Sequence, residues 1–409
     1  MFDIIIVGGG IAGLYSAYTI LRDAPQTKLL LLEKYKKKWL GGRMGNELFY
    51  GTRIVNGAGV GRKRKDRLLL ELLRELHVPA SEFQASHHYS KVIQPPCRVK
   101  RVFDEIKKAY SHRSSLIHVT FKKFATDLLG RKEYQQFVTC SGYSDYELAD
   151  AYDTLYHYGF DDNCTNWTGL SIDWKELVEV LYNTIGSSHI KVSSEVTKVE
   201  PENSGGFRIY VKDHSLPYSC RKVILATTIV GIRSLVPQKD SLYHEIHGQP
   251  FLRVYGKFAR SSARELEELV PGQTIVPGPL QKIIPMNAEK GVYMIAYSDN
   301  QSATTLRPYI ENTEENRVLF CHLVEDALGL SKGSLDLIAI KGFYWTVGTH
   351  YFGPLDTRVF STREEFLKKA QHPMPGMLIV GEAVSLHQGW VEGALESVRK
   401  VITPSWIHN

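Results

Sequence analysis

Residues Asp3–Asp23 read DIIIVGGGIAGLYSAYTILRD. Four apolar residues run into three glycines and then a helix-like repeat, an order that predicts a buried strand, a tight turn and a helix. Gly8, Gly10 and Gly13 fall in G-x-G-x-x-G order, with Ile11 and Ala12 opening the helix. In this arrangement the first glycine permits the sharp turn and the second lets a pyrophosphate approach the backbone. The third lets helix and strand pack closely, and the free N–H groups of the helix start attract the phosphate charge. A second strand, KLLLLEK, ends in Glu33, 20 residues beyond Gly13, with Lys34 next to it. An acid there is placed to bind a ribose hydroxyl pair and disfavours a 2′-phosphate. The fold class expected is α/β, with a Rossmann-like dinucleotide-binding domain and a second, discontinuous α+β domain.

The next segment separates one dinucleotide from another. KYKKKWLGGRMG follows Glu33, with Gly41, Gly42 and Arg43 after a basic loop. This resembles the flavoprotein pattern in which a second glycine pair and an arginine reach the pyrophosphate of FAD. Arg43 offers a cation and a planar donor fork for a diphosphate; the alternative is a surface arginine in a loop.

Near the other end the chain reads LIVGEAVSLHQGWVEGALESVRK (Leu378–Lys400). With both ends taken together, the chain resembles the FAD-dependent amine oxidase family, which includes monoamine, polyamine and L-amino-acid oxidases. The likeness is strong over residues 1–62 and 376–402 and faint between them. It implies that Gly381 and Glu382 lie against the cofactor and that Val391, at a helix start, sits nearest the flavin O2/N1 edge. Trp390 takes the position of an aromatic wall of an amine cage, its alternative being a packed core residue. The resemblance further implies that the backbone of Val196 meets the adenine end. In VNGAGVGR (Val55–Arg62), it implies that Gly57, Ala58 and Gly59 cross the flavin face. Related sequences often carry an arginine directly after this Gly-Ala-Gly; here Val60 stands there and the basic residue is Arg62. The second cage wall is expected from GFYWTVGTHYFGP (Gly342–Pro354), as either His350 or Tyr351. That stretch has no cysteine, so a noncovalent FAD is expected.

One departure concerns catalysis. Where the family carries a lysine that holds a water over flavin N5, QPFLRVYGKFAR (Gln249–Arg260) has Arg253. Arginine stays charged and cannot accept a proton as an amine does. Lys257, four residues on, and Lys282 in LQKIIPM are the other candidates.

The implied activity is flavin-dependent oxidation of a carbon–nitrogen bond in an amine or amino acid, with O2 as acceptor. Two rivals remain: a desaturase or protoporphyrinogen-oxidase-like enzyme on the same fold, and a catalytically altered protein that keeps FAD and binds a partner. The FAD domain is expected over residues 1–75, 190–235 and 340–409, and the substrate domain over 76–189 and 236–339. Net charge, 50 − 44 = +6, is too mild to make nucleic acid the main partner. The basic runs Lys34–Trp39 and Arg62–Arg67 read as solvated loops and helix ends, or as an anion patch or nuclear address. Five cysteines without paired spacing argue against both a disulfide framework and a zinc site, and no metal ligand set is expected. A strand beginning at residue 2 leaves no room for a signal peptide, and no apolar run reaches membrane-spanning length. Taken with the cysteines, this points to a cytoplasmic protein, with a nuclear location as the alternative.

Overall fold

The computed structural model describes residues 1–112, 117–203, 205–237 and 241–408. Two sheets organise them. At the centre of the first is β1 (Phe2–Val7), flanked in parallel by β2 (Leu29–Leu32) and β3 (Tyr218–Leu225). The start of β3 continues into an antiparallel hairpin of Val196–Pro201 and Phe207–Val211, and its end pairs in parallel with β8 (Met377–Ile379). Ile190–Lys191 closes the other edge against β2.

Both faces of this sheet are covered, which is why its strands read as unbroken apolar runs. Ile4, Ile6, Leu29 and Leu31 pack against α1 (Ile11–Asp23), the helix Trp174–Ile185 and α3 (Val391–Val401). Ile5, Val7, Leu30 and Leu32 point the other way, towards Ile232, Phe366 and Leu367.

In the second sheet the order is β7 (Leu337–Phe352), β4 (Ile246–Phe258), β6 (Val292–Asp299), β5 (Lys282–Asn287), then Gln273–Ile275 and His87–Tyr89. One face buries Leu252, Val254, Ile283 and Ile295 under the helices Arg260–Leu269, Asn300–Leu306 and Glu314–Leu328. The other face turns towards residues 52–59 of the first unit; there Tyr255, Met294 and Phe343 meet Ile54. β7 runs across residue 340, the expected domain boundary: it starts deep in the second sheet and ends beside the motifs of the first.

The cysteine expectation is corrected. Cys97 and Cys140 form a disulfide, with Cα atoms 5.5 Å apart. The pairing is tertiary and leaves no local spacing signal. Phe103 and Phe137, from the helices Val99–Ser111 and Arg131–Ser141, both stack on Phe160. That packing brings Cys97, just ahead of the first helix, against Cys140 near the end of the second. The compartment inferred from cysteine usage thereby loses its basis. Among the described residues no helix is long and apolar enough to cross a membrane.

Candidate active site

The glycine turn after β1 has two kinds of glycine. A Cβ on Gly13 would come 1.9 Å from the Gly8 carbonyl oxygen, and one on Gly8 would lie 2.4 Å from the Ala226 carbonyl oxygen. Those two positions are closed by backbone. Gly10 is different, because a Cβ there would meet nothing within 4 Å. The same openness holds at Gly42, whose nearest neighbour would be the Gly10 Cα at 3.5 Å, and at Gly381, where it would be the Ala12 Cβ at 3.9 Å. Three glycines from three segments thus face one cleft at the start of α1, and no side chain caps that helix. Ile11 and Ala12 form its first turn.

Glu33 sits beside the cleft with its carboxylate accepting from the Gly9 and Tyr35 N–H groups, both at 2.7 Å. Lys34 turns outward to pair with Glu195 at 2.8 Å. Val196 begins the hairpin that follows Glu195.

Front and tail motifs meet through Arg43 and Glu382. Arg43 Nη1 donates to the Gly348 carbonyl at 2.6 Å and approaches Glu382 at 3.3 Å. Glu382 also accepts from the His350 backbone N–H at 2.8 Å, from His350 Nδ1 at 2.6 Å and from the Gly389 N–H at 2.8 Å. Burial pushes the Glu382 carboxyl up, but His350, Arg43 and the Gly389 N–H outweigh it and hold the group down to about 2. At its far side His350 Nε2 accepts from the Ile229 N–H at 3.1 Å, so the ring proton belongs on Nδ1, facing Glu382. Both ring nitrogens of His350 are therefore engaged inside the protein. Tyr351, on the opposite face of the strand, stacks on His247 with ring centres 5.0 Å apart.

Trp390 is the residue before α3, half-buried, with the Arg62 guanidinium 3.7 Å from its ring centre. Arg62 is itself clamped by Asp66 at 2.6 Å and Asp162 at 3.0 Å, which leaves it engaged within the protein. Val391 opens α3, while Glu392 in the same turn is directed away from the cleft. Its carboxylate accepts from the Leu68 and Leu69 N–H groups at 2.8 and 2.9 Å, capping α2 (Arg67–Glu75), whose own Asp66 is committed to Arg62. Replacing Glu392 by Ala is expected to cost about 1–2 kcal/mol by removing that cap. A chemical-denaturation midpoint equal to that of the unmodified protein would show that α2 is held in some other way.

Over the cleft, Gly57 and Ala58 close back on Arg43: the Ala58 N–H donates to its carbonyl at 2.7 Å, and a Cβ on Gly57 would lie 2.0 Å from the same oxygen. Gly59 faces the second sheet, where a Cβ would come 3.3 Å from Arg253 Nη2. Beside Arg253 stand the rings of Tyr297 and Tyr143, and the Lys282 ammonium lies over both. Lys257 is elsewhere, donating to the Phe258 and Lys290 carbonyls. Sequence reasoning did not single out Tyr143, Tyr297, Tyr255 or Trp345. Tyr255 donates to the Val55 carbonyl at 2.6 Å, and Trp345 Nε1 to the Asn56 carbonyl at 2.6 Å. Strand alternation from Arg253 to Tyr255 was the available signal for one of them.

The family model for flavin-containing amine oxidoreductases matches residues 11–401. The chain belongs to that family. It is a flavin-dependent oxidoreductase, and the open glycine cleft beside Arg43 is the feature that fits the cofactor. Among solved structures it is similar to cyclohexylamine oxidase from Brevibacterium oxydans, at TM-score 0.76 and 14% identity over 98% of this chain and 97% of that one. A redesigned putrescine oxidase gives 0.73 at 14% identity over the same shares, 98% and 97%. A putative protoporphyrinogen oxidase from Exiguobacterium gives 0.69 at 15% identity over 100% and 99%. At such identities the likeness speaks for the fold. An uncharacterized protein of Acanthamoeba polyphaga mimivirus shares 45% identity over 57 residues, 14% of this chain and 11% of that protein.

Proposed function

We propose that the protein holds FAD noncovalently in the cleft lined by Gly10, Gly42 and Gly381 and oxidises the carbon–nitrogen bond of a small amine or amino acid, with O2 as final acceptor. The observation that carries this reading is the pair of buried basic side chains on the second sheet, Arg253 and Lys282, of which Arg253 lies against Gly59 of the Gly-Ala-Gly loop. Bound FAD supplies the two-electron acceptor. The chain's own residues do the rest. Arg43 and the start of α1 take the diphosphate, Glu33 the ribose, and the first turn of α3 at Val391 the flavin edge where negative charge gathers. Trp390, its ring backed by Arg62, is one wall of the substrate chamber. The division into an FAD unit (1–75, 190–235, 340–409) and a substrate unit (76–189, 236–339) is supported by the first sheet, whose strands all come from the former.

A substrate ammonium must lose a proton before its carbon can release hydride, and Lys282 Nζ is placed to take it. Burial pushes the Lys282 ammonium well below the usual lysine range; Asp299 and Asp145 oppose that shift, and Arg253 adds to it. A side chain driven towards the neutral amine can accept a proton.

The test is an anaerobic bleaching screen of the purified protein across amines, amino acids, polyprenyl substrates and porphyrinogens. Bleaching of a yellow, FAD-containing protein by an amine or amino acid supports the reading. A yellow protein bleached by none of them favours FAD as a structural element, and a colourless protein that cannot be reconstituted sinks the cofactor assignment. In Lys282→Met the bleaching rate is expected to fall about 100-fold or more. The rise of rate with pH that follows loss of the Lys282 proton should disappear; a retained limb would assign it to another group.

A further inference from the structure

Arg253 is 8% exposed and lies on β4 in the middle of the second sheet. Its Nη1 is buried without a hydrogen-bond partner, and so is Lys282 Nζ, on a side chain with 0% exposure. Among the described residues no carboxylate lies within ion-pair distance of either. Their neighbours are phenol rings: Tyr297 stands 4.7 Å from the Arg253 guanidinium carbon, and Tyr143 lies beneath Lys282.

Two nearby acids are spoken for. Asp299 accepts from the Ser144 hydroxyl at 2.5 Å, the Ser144 and Asp145 N–H groups at 2.9 and 3.2 Å, and Gln281 Nε2 at 2.9 Å. It is the anchor of the turn that delivers Tyr143. Asp145 accepts from the Tyr158 hydroxyl at 2.6 Å, and burial and Asp299 push it up to about 7. A buried guanidinium with a free donor and no counter-anion is strongly unfavourable unless a ligand completes it. Arg62, the other arginine of this region, is saturated by Asp66 and Asp162 and offers nothing to a ligand.

We propose that Arg253 receives the carboxylate of the substrate, so that the amine oxidised is that of a free amino acid. Guanidinium N–H donors match a carboxylate in geometry and charge. Lys282 beside it then faces the α-amine, which is carried by the carbon bonded to the carboxylate. No bond to the carboxylate forms or breaks; it is an anchor that sets which carbon faces the flavin. Gly59 serves the same end, since a side chain there would press on Arg253 Nη2. This inference rests on the amine-oxidising reading above.

The experiment titrates FAD-loaded protein with benzoate and butyrate and, in parallel, with benzamide and butyramide, reading the visible flavin spectrum and binding heat. Carboxylates are expected to bind about 10-fold or more tightly than amides of the same shape, because only the former offer an anion. Arg253→Met should weaken benzoate about 100-fold and Arg253→Lys about 10-fold, because an ammonium keeps the charge but not the planar donor fork. Amino acids should bleach the flavin at least about 100-fold faster than their decarboxylated counterparts. Equal binding of benzoate and benzamide, or benzoate affinity unaltered in Arg253→Met, overturns the proposal. Bleaching by plain amines in that case leaves amine oxidation standing. Arg253-dependent benzoate binding without bleaching by any amine or amino acid supports the anion site and sinks the amino acid as substrate. Should Arg253→Met fail to fold, the benzoate and benzamide comparison on the unmodified protein, with Arg253→Lys, decides.

Discussion

Replacing Glu382 by Ala should cost the folded protein about 3–5 kcal/mol, the range for breaking a buried, hydrogen-bonded charge pair from one side. The carboxylate is 5% exposed and has four donors: the His350 N–H and imidazole, the Gly389 N–H and Arg43. Those donors come from β7, the tail loop and the loop before the Gly-Ala-Gly segment, so one deletion loosens three walls of the cleft. Arg43 would keep the Gly348 carbonyl but lose the carboxylate it pairs with among the described residues, and His350 would keep Ile229 while its Nδ1 proton lost Glu382. Flavin retention on a desalting column should therefore fall along with the thermal midpoint.

The pH dependence gives a second handle on the same residue. The Glu382 carboxyl is held at about 2 in the folded protein against an ordinary value of 4.5. A depressed folded value means stability that is fully present above about 4.5 and lost as pH falls towards about 2. The gap corresponds to roughly 3 kcal/mol. Glu382→Gln should accordingly show a flatter stability profile between those two pH values than the unmodified protein. Parallel profiles for the two proteins in acid urea titrations would mean that Glu382 is not the carboxylate responsible.

Legibility in the sequence followed the range of the interaction. β1, the glycine turn, α1 and Glu33 were readable because their periodicity and spacing are local: each contact joins residues at most a few turns of chain apart or at a fixed offset. Gly381 and Glu382 stood out through resemblance; the structure sets them beside Ala12 and Arg43. What could not be read depends on tertiary partners, from 32 to 324 residues distant. Either of two adjacent residues, His350 and Tyr351, could have faced the cleft by alternation alone. In the structure His350 is held between Ile229 and Glu382, and Tyr351 stacks on His247. Glu392 stands in the tail segment that carries the resemblance, yet its carboxylate serves the start of α2, more than 300 residues earlier. The Cys97–Cys140 bond belongs to the same class. Arg253 stood out in sequence as a substitution for lysine, but only the fold reveals that, among the described residues, no acid pairs with it.

The two glycines of one turn should separate cofactor binding from folding. Gly10 has φ −72° and ψ 178° as the residue before α1, a conformation open to any L-residue, and empty space where a Cβ would stand. Gly10→Ala is therefore expected to leave the stability of the flavin-free protein within about 0.5 kcal/mol, the usual range for a substitution that disturbs no contact. The added methyl projects into the cleft that the pyrophosphate would enter, so flavin affinity should drop about 100-fold or more, in line with the need for close backbone approach at the second glycine. At Gly13 the balance reverses. A methyl at 1.9 Å from the Gly8 carbonyl oxygen and 3.4 Å from the Ala226 side chain can be accommodated only by moving α1 off β1, and that interface carries Leu14, Ala17 and Ile20 against Ile4 and Ile6. Gly13→Ala should lose several kcal/mol whether or not flavin is present, on the order of other overpacked core positions or beyond. The decisive comparison is denaturation of both variants without flavin. Equal destabilisation by the two would remove the case for an open cradle at Gly10, and with it the assignment of the cleft to the cofactor's phosphates.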